Sequence, residues 1–193
     1  PTHHDYNAAE WPPHPDRLFM ALVAAYEQGS CTDRERRALE ALEKMPPPSL
    51  YCSAPQHRSS TTVFVPVNDT EMPKKETSKE AYKSVIPQFR DRKPRTFPAV
   101  VPEEDTMYFL WDDKVEGEVR EGLESLCEQV THLGKSQSLV QLWVTNQGPS
   151  PNLIPSDSLG GYRLRVPGEG RLELLEERYK QDMRPAPALE IPY

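Results

Sequence analysis

Proline constrains this chain more than any other residue type. It holds 21 of the 193 positions, against 9 for glycine, and each proline fixes φ and removes a backbone donor. Much of the chain must therefore be rigid extended connection wrapped around a small core. The prolines also mark where regular structure begins and ends. In "PDRLFMALVAAYEQG", Leu18, Leu22, Ala25 and Tyr26 recur at helical spacing, Pro15 sits near the first turn and Gly29 is a stop, so the segment predicts a buried amphipathic helix. A second, more solvated helix follows in "TDRERRALEALEKMPPP", with Thr32 and Glu35 at capping-box spacing and three prolines ending it.

Further along, "STTVFVPVND" and "TMYFLWDD" read as strands, being β-branched and aromatic. Between them the stretch Thr70 to Arg95 has no sustained period and reads as a charged excursion. Val115, Val119, Leu123, Leu126 and Val130 predict a helix despite Gly117 and Gly122, with Gly134 as its C-terminal cap. "SQSLVQLWVTN" is expected as a third strand, "GYRLRVPG" as a fourth and "EGRLELLEERYKQDM" as a closing helix. The core thus reads helix, strand, strand, helix, strand. With one strand upstream of Pro1, where the chain starts without a Met, this is the βαββαβ ferredoxin-like plan. The fold class expected is α+β: an RRM-like sheet with helices on one face, and one open face of the kind that binds RNA.

Charge is separated along the chain. The formal net charge is -7, yet Lys74 to Arg95 holds eight Lys or Arg against three acids, a net +5 that leaves -12 on the other 171 residues. Within it "RDRKPRTFP" places Arg90, Arg92, Lys93 and Arg95 in six positions. Arginine forks match phosphate oxygens, lysine adds point charge, and the flanking Phe89 and Phe97 could stack on unpaired bases. A charge run of this kind is otherwise a solvated loop. Phe97 itself, beside the apolar Ala99, Val100 and Val101, is expected in the core.

A second cluster lies in "THLGKSQS", where His132, Lys135, Ser136 and Ser138 surround Gly134, whose missing side chain permits close approach of a phosphate. The plainer reading is a helix end, with His and Lys complementing the dipole. Arg17, in the first turn of the first helix, could point toward a nucleic acid. No hydrolase elbow, P-loop or dinucleotide fingerprint occurs. An imidazole can serve as base or acid in metal-independent RNA cleavage, which leaves His132 as the one catalytic candidate.

No cofactor is implied. His3, His4, Asp5 and His14 lack a rigid metal-binding spacing, so no metal site is expected. Cys31, Cys52 and Cys127 are odd in number and without C-x-x-C spacing, which argues against a disulfide framework or zinc site and for reduced thiols in a cytoplasm. Mean hydropathy is -0.72, and no apolar run approaches the roughly 20 residues of a membrane span.

The motifs "EWPPHPDRLFMALVAA", "TVFVPVND", "RKPRTFPAV", "HLGKSQSLV" and "LRVPGEGRLELLEERY" occur in the order seen in a CRISPR-associated family of the type I-U (I-G) system. That family resembles a fusion of a Cas-five-type subunit, which caps the 5′ handle of the CRISPR RNA, with a Cas-six-type processing endoribonuclease. This chain is similar to the Cas-five-like half. The resemblance implies a single RAMP domain over residues 1–193, with a thumb-like insertion at about 70–95 and the first strand absent from the chain. It implies an RNA-binding subunit of a surveillance (Cascade) complex in antiviral defence. Arg92, Lys93 and Arg95 would touch the RNA handle, and "HLGKSQS" looks like the glycine loop beside the sheet. The implied partners are CRISPR RNA, a Cas-seven-type backbone, the large subunit and the Cas-six-like half, with target DNA as a further one and no membrane. The alternative is a metal-independent endoribonuclease acting on repeat RNA.

Overall fold

The computed structural model describes residues 9–58, 62–66, 92–157 and 161–193. In chain order the elements are α1 (Pro15–Gln28), α2 (Asp33–Lys44), β1 (Ser49–Tyr51), β2 (Pro55–Arg58), β3 (Thr62–Pro66), β4 (Arg92–Thr96), β5 (Ala99–Pro102), β6 (Tyr108–Leu110), α3 (Gly117–Gln129), β7 (Arg163–Val166), α4 (Arg171–Lys180) and β8 (Leu189–Pro192). The fold is α+β. Its described strands pair two by two, all antiparallel: β1 with β6, β2 with β5, β3 with β4, and β7 with β8. The chain divides into two compact units, one built from 12–54 and 104–193, the other from 55–103 with 1–11.

The first of these units holds the core. Phe19, Leu22, Leu39 and Leu126 are fully buried where α1, α2 and α3 meet, and each such side chain contributes about 1.5–3 kcal/mol by leaving water. Gly122 explains how α2 and α3 approach so closely: a Cβ there would meet Ala38 Cβ and the Arg34 carbonyl oxygen at 2.8 Å each. The glycine that weakens α3 as an isolated helix is what lets it dock. α2 begins as its sequence predicts, with the Thr32 side chain accepting from the Glu35 N–H and the Glu35 carboxylate accepting from the Thr32 N–H. Glu35 does more than cap, because Ser125 and Gln129 of α3 also donate to it at 2.8 and 2.9 Å. Burial alone would raise its pKa, but these hydrogen bonds with those from Thr32 outweigh it and hold the carboxylate below its usual range.

Two buried carboxylates tie the last helix to the first two. Asp16 in the first turn of α1 accepts both forks of Arg171, at 2.8 and 2.9 Å. Glu43 near the end of α2 accepts from the N–H groups of Gly170 and Leu172, capping α4 across the chain. A smaller cluster of Leu50, Leu164, Val166 and Tyr193 lies under β1, β7 and β8, and the Tyr193 hydroxyl donates to the Pro48 carbonyl at 2.9 Å.

The expected strand over residues 136–146 forms only one bridge, Leu139 to His132. The alternation that predicts it is present: Val140, Leu142 and Val144 are half-buried against the main cluster while Leu139, Gln141 and Trp143 are exposed. Among the described residues no neighbouring strand continues the ladder, so the segment is extended without being paired. Gly134 is not the cap of α3, which stops at Gln129 with Val130 as C-cap. His14 is buried and accepts the Arg165 N–H on Nδ1 at 2.7 Å, a structural role; His3, His4 and Asp5 lie outside the described residues. The three cysteines are free thiols. Among the described residues no helix is long and apolar enough to cross a membrane.

Candidate functional site

The basic motif becomes a strand. Arg92–Thr96 forms β4 and pairs with β3 in the register Val63 to Arg95, Phe64 to Pro94 and Val65 to Lys93, while β2 and β5 continue the same two arms from Pro55 opposite Pro102. The unpatterned charge of residues 92–95 hid this, because a strand's partner is not visible in its own sequence. Arg92, Lys93 and Arg95 are all exposed. Directly opposed residues share a face of a ribbon and alternate residues do not. One face therefore carries Lys93 and Arg95 with Val63 and Val65, and the other carries Arg92 with Phe64 and Pro94. Positive charge is presented on both sides.

Phe64, 60% exposed, is an aromatic group that the sequence reading placed in a strand without assigning it a role. Its exposure beside Arg92 makes it a better stacking surface than the sequence could indicate, since Phe in a β-branched run reads as core. Phe97 stands at the break between β4 and β5 and is 41% exposed, so the expectation that its ring fills the core is corrected: part of the ring stays in water. Arg90, Phe89 and most of the 70–95 excursion lie outside the described residues.

The other predicted residues collect in the helical unit. Thr131 to Val140 folds as a short hairpin: the Val140 N–H donates to Thr131, the Leu133 N–H to Ser138 and the Ser138 N–H to Lys135. Gly134 sits in it at φ +78°, a left-handed conformation natural to glycine. The half-buried Arg17 of α1 lies directly over this loop. A Cβ at Gly134 would meet Arg17 Nη1 at 2.5 Å and Cζ at 3.2 Å. Arg17, Gly134 and His132 line one cleft with Met20, Gln28 and Thr131. Lys135, Ser136 and Ser138 are exposed on the same hairpin. Two residues 117 positions apart in sequence, Arg17 and Gly134, are thus brought together, and the cleft offers cationic and hydroxyl donors suited to an anion.

Catalytic groups are weaker. The exposed His132 ring contacts the Thr131 hydroxyl at 3.1 Å, a neighbour that supplies no second acid or base. Burial, with Glu124 and Glu128 nearby, pushes the Cys127 thiol up to about 11, far from a reactive thiolate. Among the described residues no three His, Cys, Asp or Glu side chains come together to hold a metal ion.

Gly134→Ala should cost about 1–2 kcal/mol from the left-handed backbone alone, and it should push the Arg17 guanidinium off the loop. Thermal unfolding and the Arg17 Nε–H NMR signal measure the two effects. An unchanged melting temperature with an unmoved signal would show that glycine is not required for this contact.

A family model described as CRISPR-associated protein, GSU0054 family, matches residues 2–187. The chain belongs to the GSU0054 family. No curated protein and no solved structure matches it. Membership of the GSU0054 family gives the chain a role in CRISPR defence and makes other components of the CRISPR system its partners.

Proposed function

We propose that this GSU0054-family protein is a CRISPR RNA-binding subunit of a type I-U (I-G) surveillance complex, holding the 5′ handle of the RNA. The observation that carries the reading is the exposed row Arg92, Lys93 and Arg95 on both faces of a two-stranded ribbon, in a chain whose net charge is -7. A protein that repels polyanions overall gathers its cations where phosphates are to be met. The Arg17 and Gly134 cleft, with Lys135, Ser136 and Ser138, is a second phosphate contact. In this reading the fold is the RAMP variant of the ferredoxin-like plan, with the ribbon as the base of its thumb. Its neighbours would be a Cas-seven-type backbone, a large subunit and a Cas-six-like half, with target DNA passing the assembly in the cytoplasm.

The test is a titration of end-labelled repeat RNA at several salt concentrations, with the RNA then run on a denaturing gel. The expected result is binding that weakens steeply with salt and RNA that stays intact, in the native chain and in His132→Ala alike. Absence of binding would sink the RNA-binding role, and binding without salt dependence would remove the phosphate contacts from it. Metal-independent cleavage that His132→Ala abolishes, with binding kept, would replace it by the endoribonuclease reading.

A further inference from the structure

Tyr51 on β1 and Tyr108 on β6 stand directly opposite each other in the ladder. Their neighbours Leu50 and Phe109 turn into the core, so the two tyrosines share the outer face of the sheet. Their rings meet edge to face at a centroid distance of 6.1 Å. Glu104 is held beside them: its N–H donates to Ser53 Oγ at 3.0 Å, and its Oε1 accepts the Tyr51 hydroxyl at 3.1 Å. That hydrogen bond, and the nearby negative charge, keep the Tyr51 phenol above its usual range. The opposite wall is Gln147, Gly148 and Pro149, which with Tyr51, Glu104 and Tyr108 enclose an open cleft. Gly148 rests so closely on β6 that a Cβ would meet Leu110 Cδ2 at 2.7 Å, and the Gln147 N–H is fixed by Thr145 Oγ1 at 3.1 Å. Both walls are therefore positioned by contacts of their own.

Glu104 forms no ion pair among the described residues, and Asp105 follows it. A carboxylate orienting one oxygen on a tyrosine, beside two aromatic rings and without a cation among the described residues, is complementary to a planar cation. We propose that this cleft receives an arginine side chain presented by a partner protein. The guanidinium stacks on the tyrosine ring and donates to the Glu104 carboxylate, with the Gln147 side-chain oxygen as a further acceptor. Lysine fits less well, because a point charge uses neither the ring plane nor the carboxylate fork. A nucleotide fits poorly, since its phosphate would approach Glu104 and Asp105. The cleft shares no residue with the groups assigned to RNA, so it is a protein-docking site in addition to that role.

The experiment is an NMR titration of the ¹⁵N-labelled chain with N-acetyl-arginine methylamide, with the citrulline counterpart as the uncharged isostere and cytidine monophosphate as the nucleotide. Saturating shifts are expected at the amides of Tyr51, Glu104, Tyr108 and Gly148 with the arginine probe. Affinity should fall at least tenfold with citrulline, and at least tenfold for arginine in Glu104→Gln. Tyr108→Leu should weaken binding as well, and an unchanged melting temperature shows that either variant is folded. Equal response to arginine and citrulline, no response, or tighter binding of the nucleotide would each overturn the proposal. Repeat-RNA affinity measured on Glu104→Gln is expected to be unchanged, which keeps this site's failure distinct from failure of the RNA role.

Discussion

Asp16→Ala is expected to destabilise the protein by about 3–5 kcal/mol, because it leaves the Arg171 guanidinium charged, buried and without its carboxylate. The pair is 2% and 5% exposed, so water cannot take over the lost bonds. Among the described residues the remaining partners of Arg171 are the Ala186 carbonyl at 2.9 Å and the Met20 sulfur, neither of which neutralises it. A control separates charge from packing: replacing both members with apolar residues, Asp16→Leu with Arg171→Met, should cost much less than Asp16→Ala alone. Denaturant unfolding of the three proteins measures this. A loss below about 1 kcal/mol for Asp16→Ala would mean that the α1 to α4 contact is solvated.

Replacing Arg92, Lys93 and Arg95 by glutamine should reduce the log-log slope of repeat-RNA affinity against salt by about 2, since each lost single-strand phosphate contact removes roughly 0.7. Binding at low salt should fall with it. The three side chains are exposed, so the melting temperature should hardly move. Arg34→Gln is the matched control: Arg34 pairs with Glu121 at 2.9 Å on the α2 surface and should leave the slope as it was. An unchanged slope in the triple variant would remove the ribbon from the RNA interface and leave the Arg17 cleft as the candidate.

Local structure was legible where the physical cause is local. The capping box of Thr32 and Glu35, the proline and glycine that bound α1, and the apolar period of α3 each act within four residues, and their elements formed where those signals lie. The alternation of Leu139 to Val144 was equally readable, yet alternation specifies a half-buried extended segment and not its partner. Hence a strand was expected where the structure has one bridge. The family kinship and the separation of charge also came from the sequence, because both are properties of residue order and type.

Pairing and burial were decided only in three dimensions. β4 became a strand because β3, with residues 67–91 between them, supplies its hydrogen bonds; nothing within Arg92–Thr96 could announce that. Phe64 and Phe97 look alike as core residues, and only the folded ribbon shows that both are exposed. Asp16 and Arg171 lie 155 residues apart and read separately as an ordinary first-turn acid and a surface base. By itself the sequence determined which segments are helical, where α1 and α2 stop and where positive charge collects, since those follow from backbone preference and composition. Tertiary structure decided which charges are buried in pairs, which are presented to a ligand, and why Gly122 and Gly134 must be glycine, since each depends on atoms that only folding brings within contact distance.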